Sequence, residues 1–598
     1  DPFSWLNINY RFGMDNTADA RRTTKPGLKG VAGEIGLTDG GLLGVSGALG
    51  SVGEYRINNR LLNSNLLITA TKDWTEKLNT VLRVGNEVRD RQYSYVAAEG
   101  AELDIPELLS LNNAKVRSNV QRMEEERSVS FYADATIGWD NFLFLNGSIR
   151  NDRVSNLPIG NNSFYYPSAS LSWVFSQNID LPRWFTYGKL RGSFSQIGIA
   201  APQPYLTNTY YSNAFGQPIG GVIPWSRNDE RGDPNLKPEI TQNREVGAEL
   251  RFFGGRLGVD ATYYVINSKD LIVPILVSTA SGFNTVRTNA GEIQNRGWEL
   301  TLNGTPVQNK DFRWDINVNL TTNRNKVVRV SDQSDEIILG SQFGYIGATV
   351  TQKYVVGMPV GGLYGTSYAR YYGDKVDDGV TLRRDLPWII QGGTGAQRGY
   401  PQRDTRQRLM GNSQPKWIGG INNSFTYKRV TLGVLFDFRT DYQKYNQLGN
   451  FMSAFGIAKY TEDRNDTKVF PGVLANGTPN TQAVWLGQGV GPDGRNYGDG
   501  FYRIIHRSLS ENFVEDADWF RLRTLSITYS MPSKWFSKTN LIKDMTASIT
   551  GNNLWLSTPY SGYDPETSAT PANSNLDGFA GFSYPAVRSV FFNLNVNF

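Results

Sequence analysis

The chain has 598 residues and no cysteine, which excludes thiol catalysis, thiolate metal sites and disulfides, and its one histidine nearly excludes histidine-based metal clusters and Ser-His-Asp machinery. Its 61 Lys plus Arg against 56 Asp plus Glu leave a net charge of +5 over the whole length, too dilute for a nucleic-acid surface. No run approaches the roughly 18 apolar residues of a helical membrane span, while 12% aromatics and 62 glycines favour strands and turns.

The chain opens on DPFSWLNINYRF, already strand-like and without the charged and apolar regions of a signal peptide; the expectation is the later part of a longer polypeptide. Alternation of apolar and polar residues then recurs in chain order. SFYADATIGW sets Phe131, Ala133, Ala135, Ile137 and Trp139 against Tyr132, Asp134, Thr136 and Gly138. REVGAELRFF sets Val246, Ala248, Leu250 and Phe252 against Glu245, Gly247, Glu249 and Arg251. RWDINVNLTT and TLGVLFDF follow the same rule, with Trp314, Ile316, Val318 and Leu320, then Leu432, Val434, Phe436 and Phe438. WFRLRTLSITY changes parity between Phe520/Leu522 and Leu525/Ile527/Tyr529, which predicts a β-bulge. The chain closes on SVFFNLNVNF, with Val590, Phe592, Leu594, Val596 and Phe598 on one face and mainly amides on the other.

About 17 such segments are predicted from their two-residue period. Tight turns such as WDN (139–141), FGG (253–255) and YKR (427–429) contrast with long loops near 200–238, 331–413, 441–518 and 557–587. A β-sandwich would bury one face of each strand against a second sheet, and a propeller or β-helix would show a fixed repeat, which is absent. A transmembrane barrel needs strands of about 9–11 residues, apolar outward and polar inward, with short turns at one end and long loops at the other. Charged and amide residues on the inward face are costly in a packed core and hydrated in a wide lumen. The expected fold is therefore an all-β transmembrane antiparallel barrel running through residues 1–598.

Several ordered stretches resemble the SusC/RagA group of TonB-dependent outer-membrane transporters. They are NLKPEITQNREVGAELRFFGGRLGVDATYYVINSKDLIV, NAGEIQNRGWELTLNGTPVQNKDFRWDINVNLTTNRNKV, VVGMPVGGLYG, GNSQPKWIGGINNSFTYK, ENFVEDADWFRLRTLSITYSMP and GNNLWLSTPYSGYDPE. The resemblance implies a barrel of the 22-stranded type with a plugged lumen, the plug and first strands being absent from this chain. It also implies a multi-pass β-barrel in the outer membrane of a Gram-negative bacterium. The implied partners are a SusD-like surface lipoprotein, the TonB complex acting through the missing N-terminal part, and barrel-assembly machinery that captures the closing aromatic strand. In that setting Val590, Phe592, Leu594, Val596 and Phe598 face outer-membrane lipid, and the strand pairs with a neighbour on each side.

Other constellations are weaker. GVGPDG (489–494) matches G-x-G-x-x-G by letter but carries Pro492 and no following helix, so no nucleotide site is expected. Asp374, Asp377 and Asp378 stand where the family often has an Asp-rich loop, without calcium-ligand spacing, and no metal is expected. His506 is read as structural. Glu515, Asp516 and Asp518 lie beside Arg521 and Arg523, and ion pairing within the lumen is expected rather than glycosidase chemistry.

No enzyme and no cofactor is expected; the plausible chemistry is recognition. Loop residues Trp225, Arg227, Asn228, Asp229 and Arg231, with Tyr368, Tyr371 and Tyr372, are candidates to stack on sugars or bond peptide groups, or else to pack loop against loop. The expected function is TonB-dependent import of oligosaccharides or oligopeptides with the SusD-like lipoprotein. The alternative is a SusC-like barrel serving as a structural scaffold in a secretion or barrel-insertion assembly.

Overall fold

The computed structural model describes residues 3–27, 49–213, 220, 222–331, 334–536, 542–570, 574 and 576–597. Sixteen strands form one antiparallel sheet in strict sequence order. They are β1 (Leu6–Lys25), β2 (Ser51–Asp73), β3 (Leu78–Leu103), β4 (Ala114–Trp139), β5 (Leu143–Val154), β6 (Ser163–Trp173), β7 (Phe185–Ile199) and β8 (Glu239–Phe252). There follow β9 (Leu257–Lys269), β10 (Glu292–Gln308), β11 (Phe312–Arg329), β12 (Trp417–Tyr427), β13 (Val430–Thr440), β14 (Trp519–Ser530), β15 (Asp544–Ser557) and β16 (Ser589–Asn597). The chain groups into two compact units: Asp1–Trp173, Ser193–Asn243 and Ser268–Ala290; and Val174–Gly192, Arg244–Asn267 and Gly291–Phe598.

Register converts the sequence alternation into rows. In the first unit Ile8, Ile68, Val84, Ala133, Ile149 and Pro167 face one another across β1 to β6. One residue along, the row reads Asn7, Thr69, Arg83, Asp134, Ser148 and Ser168. In the second unit Trp314, Phe425, Leu432, Ile527, Ile549 and Phe592 make an apolar row across β11 to β16. Its polar neighbour is Arg313, Thr426, Thr431, Thr528, Ser548 and Asn593. Successive residues of a strand take opposite faces, so each unit has one greasy and one wet face. The greasy face is open: Phe592 is 80% exposed and Ile8 50%. Hydrocarbon, rather than a second protein layer, is the solvent that suits it.

Strand length exceeds what a membrane needs. β3 and β4 have 26 residues each, against about 9–11 for one crossing. Within β4 the lipid-type alternation is confined to Phe131–Trp139, whereas QRMEEER (121–127) puts charge on both faces. The lipid band thus covers only the second half of this strand.

The tight turns fall where expected. Asp140 and Asn141 take φ of 47° and 57°, Phe253 54° and Lys428 54°, left-handed values that such short reversals require. The bulge also lies in β14. Leu522 and Thr524 are paired on both sides while Arg523 between them is left out of the ladder. Among the described residues β16 is hydrogen-bonded to β15 and stands at one edge of the sheet, as β1 does at the other. Phe598 lies outside the described residues.

The two longest segments read as loops are folded. Within 331–413, strands Glu336–Gln342, Val350–Val355, Gly362–Tyr368 and Arg403–Asn412 make a four-stranded sheet. Within 441–518, Gln443–Tyr445 pairs with Val514–Asp516, and a helix runs from Gln447 to Ala454 with Asn446 accepting from the Gly449 N–H. Aromatic cores hold these segments. Ile390, Tyr400, Phe470, Tyr497, Phe501 and Ile505 bury together, and so do Leu363, Met410, Tyr445, Phe513 and Phe579.

Candidate functional site

The wet face of the first unit carries a connected polar cluster. Arg150 donates to Glu87 (3.0 Å), Ser130 (2.8 Å) and Asp152 (2.7 Å), while Asn65 donates to the Tyr132 hydroxyl (3.1 Å). Arg11, Phe12, Asn63, Asn65, Glu87, Tyr132 and Arg150 line an open cavity of about 510 Å³. Tyr132 reaches this place because it lies across Gly85, its register partner; a Cβ there would meet the ring at 2.2 Å. Further along, Arg83 pairs with Asp134 (2.7 Å), which also accepts from Asn146 (2.7 Å). Such half-buried ions are tolerable where water reaches their free lone pairs, as in a lumen, and expensive in a dry core.

The second unit has a stronger network at the bulge. Arg521 pairs with Asp564 (2.7 Å) and Glu566 (3.2 Å), and Arg523 donates to Asp437 (2.7 Å), Asn553 (3.1 Å) and both oxygens of Glu566 (2.8 Å). Ion pairing is thus present, but with other partners than the sequence suggested. Glu515 instead accepts from Asn446 (3.0 Å) and Ser561 (2.8 Å), Asp516 from Gln443 (2.9 Å), and Asp518 from the Asp441 N–H (2.7 Å). Side chains adjacent in an extended segment diverge, so both arginines find acids 40 and more residues away. Asp564 and Glu566 stand in GNNLWLSTPYSGYDPE, where neither was singled out from sequence, and Asp437 stands in TLGVLFDF.

The candidate loop residues separate. In the first unit Trp225 is 65% exposed on the short strand Trp225–Arg227, which pairs with Tyr211–Asn213. Arg227 donates to the Gly282 carbonyl and stacks on Phe283, 3.9 Å from the ring centroid, with Arg231 over the same ring at 6.0 Å. Asn228 accepts from the Glu230 N–H (3.3 Å), and the Asp229 carbonyl accepts from Asn284 (2.9 Å). Trp225, Arg227, Asp229 and Arg231 are exposed, and Trp225 is the exposed aromatic of this group. Nearby, the family-like motifs converge: Leu236 is fully buried, Glu239 accepts from Ile272 N–H (2.7 Å), and Asn289 donates to the carbonyls of Lys237 (2.8 Å) and Asp270 (2.9 Å).

In the second unit Tyr368 is buried. Its ring lies 4.5 Å from that of Trp388, its hydroxyl accepts from Asn512 (3.1 Å), and its N–H bonds Glu511 (2.9 Å), which also pairs with Arg370. The ring is spent on packing, and burial pushes its hydroxyl pKa well up. Tyr371 is half-buried with its N–H on the Pro387 carbonyl (2.9 Å), and the Tyr372 hydroxyl bonds Asp377. Asp377 is gripped by Arg408 (2.5 and 2.8 Å), which holds its carboxyl well below the usual range. Asp378 accepts from Val380 and Thr381 N–H groups (2.8 Å each). GVGPDG forms a turn: Gly489 and Gly494 take φ of 79°, and Asp493 accepts from Tyr497 (2.8 Å). His506 sits among Tyr460, Tyr502, Phe501 and Phe513, with ring centroids 5.3–6.0 Å away and Ser453 Oγ 3.1 Å from Nδ1.

The family model described as TonB dependent receptor-like, beta-barrel matches residues 2–554. The chain belongs to that family. This TonB-dependent receptor-like barrel is 27% identical over 531 residues to TonB-dependent receptor P3 of Formosa agariphila, covering 86% of this chain and 48% of the relative. It is 23% identical over 567 residues to TonB-dependent receptor SusC of Bacteroides thetaiotaomicron, covering 92% and 51%. Among solved structures the RagAB peptide transporter matches at a TM-score of 0.75 and 18% identity, over 100% of this chain and 60% of that one. The chain spans about half the length of the curated relatives it matches. A barrel of this family resides in the outer membrane, crossing it with strands, and the family is one of receptors and transporters rather than enzymes.

Proposed function

We propose that this barrel forms the wall of a TonB-dependent importer for oligosaccharides or oligopeptides. The observation that carries the reading is the polar face, with Arg150 bonded to Glu87 and Asp152, Asn65 bonded to Tyr132, and the Arg150 guanidinium 5.7 Å from the Tyr132 ring beside an open cavity. A face of this kind lines a wet passage, while the apolar rows behind it suit lipid. The folded segments within 331–413 and 441–518 would stand at the extracellular mouth, as would Trp225, Tyr371 and Tyr372. A SusD-like lipoprotein would close over that mouth, a reading supported by the likeness to SusC and to the RagAB peptide transporter. A rigid wall cannot release ligand by itself, so a mobile element is required, and TonB would pull on a plug outside this sequence. Strands outside this sequence would pair the free edges of β1 and β16, and barrel-assembly machinery would receive the closing strand. Deleting the gene tests import. Growth on one particular polymer or peptide should be abolished; unaltered growth on every such substrate refutes the reading.

A further inference from the structure

The second unit holds a cavity of about 560 Å³ that the import reading above does not use. Three arginines line it, Arg464, Arg503 and Arg507, against one acid, Asp499. Arg464 spends one nitrogen on the carbonyls of Gly456 (3.1 Å) and Thr461 (3.4 Å). Arg507 is different. Its residue is only 8% exposed, its Nε is buried without a hydrogen-bond partner, and its guanidinium lies over the Tyr345 ring at 5.4 Å. No acid among the described residues forms an ion pair with Arg507 or Arg503, although most buried guanidinium groups of this unit do so, as with Arg370, Arg408 and Arg521. Burial and neighbouring Arg503 both work against the Arg507 charge, and Tyr345 and Asp499 offset them only in part. A buried cation held without an ion-pair partner is costly unless the counter-ion arrives from outside.

Tyr345, Phe455 and Tyr502 add aromatic surface to the same lining. We infer that this cavity binds a carboxylate group of the transported oligomer, with Arg507 and Arg503 as its ligands and the aromatic rings beside the adjoining unit. The planar guanidinium fork matches a carboxylate in geometry as well as charge. The proposal takes the import reading as its setting and names the substrate chemistry: an acidic oligomer, whether a sugar acid or an acidic peptide.

The test is calorimetric titration of the purified full-length receptor in detergent with tetra-galacturonate, a tetra-glutamate peptide and their neutral counterparts, tetra-galactose and tetra-glutamine. One acidic probe should bind at least tenfold more tightly than its neutral counterpart, and the one that does so identifies the source. Arg503→Gln, on an exposed side chain, and Arg507→Gln should each weaken that binding at least tenfold while chymotrypsin resistance of the segment stays unchanged in Arg503→Gln. If Arg507→Gln loosens the fold, Arg503→Gln alone decides. Equal binding of acidic and neutral probes, binding by neither acid, wild-type affinity in Arg503→Gln, or displacement by equimolar sulfate would overturn the carboxylate assignment. Import is read separately by growth: a receptor that binds the acid yet supports no growth on any oligomer refutes the transport reading alone.

Discussion

Arg521 and Asp564 form a salt bridge of 2.7 Å with side chains only 2% and 4% exposed, tying β14 to the segment that precedes β16. Burial this complete makes the pair sensitive to loss of one partner rather than to loss of both. Asp564→Asn should therefore cost about 3 kcal/mol, because it leaves the buried Arg521 charge only its longer pairing with Glu566 at 3.2 Å. Asp564→Leu combined with Arg521→Met should recover much of that loss. Thermal unfolding in detergent and chymotrypsin cleavage between residues 557 and 587, at Tyr560, Tyr563, Phe579 or Phe582, would check this. A double variant no better than the single one would mean that packing, not charge, governs the segment.

His506 predicts a pH dependence. Burial among four rings lowers its pKa from 6.5 to about 4. Between those values the unfolded chain binds the proton and the folded chain does not. Stability from this residue is fully present above pH 6.5 and is lost as pH falls toward 4. His506 is half-buried as a residue, and the loss is of order 2 kcal/mol. Protease resistance of residues 441–518 should decline over that window in the wild type and stay flatter in His506→Phe. A window unchanged in the variant would assign the effect to other groups.

These two sites show how far the sequence could be read. The rows were legible because two-residue alternation needs no tertiary information, and Trp314 and Phe592 fell on one face as their parity required. The bulge at Arg523 was legible for the same reason. Partners were not. Arg521 chose Asp564 over Asp518 because an extended segment sends near neighbours to different places. Nor does loop composition separate an aromatic that meets ligand from one that builds a core. Trp225 emerged exposed and Tyr368 buried, and only packing distinguishes them. Arg507 gave no signal at all, since an unpaired cation is recognisable only once its surroundings are known.

Gly297, in the NRGWEL stretch, marks a close approach between strands. A Cβ there would come 1.8 Å from the Thr322 carbonyl oxygen and 2.6 Å from the Tyr264 hydroxyl. Neither backbone nor a ring held across the glycine can yield cheaply. Gly297→Ala should disturb the pairing of β10 with β11 and cost about 1–3 kcal/mol. Gly147→Ala, where nothing lies within 4 Å, is the control and should be nearly silent. Heat-modifiable mobility of the folded barrel on gels reads both; equal mobility midpoints would contradict the crowding argument.

Phe592 lies in the apolar row with Ile549 and Ile527, and 80% of it is exposed. Placed against hydrocarbon, an arginine at that position costs about 2–4 kcal/mol if near the midplane and about 0–1 near an interface. Phe592→Arg should therefore reduce the fraction of receptor assembled in the outer membrane, whereas Phe592→Leu should not. Asn593→Arg makes the opposing case, because Asn593 continues the polar row of Ser548 and Thr528. An arginine there meets water and should leave assembly nearly unchanged. The contrast between adjacent positions isolates facing from strand propensity, since both substitutions introduce the same residue into the same strand. Equal assembly of the two arginine variants would mean that the exposed row does not face lipid.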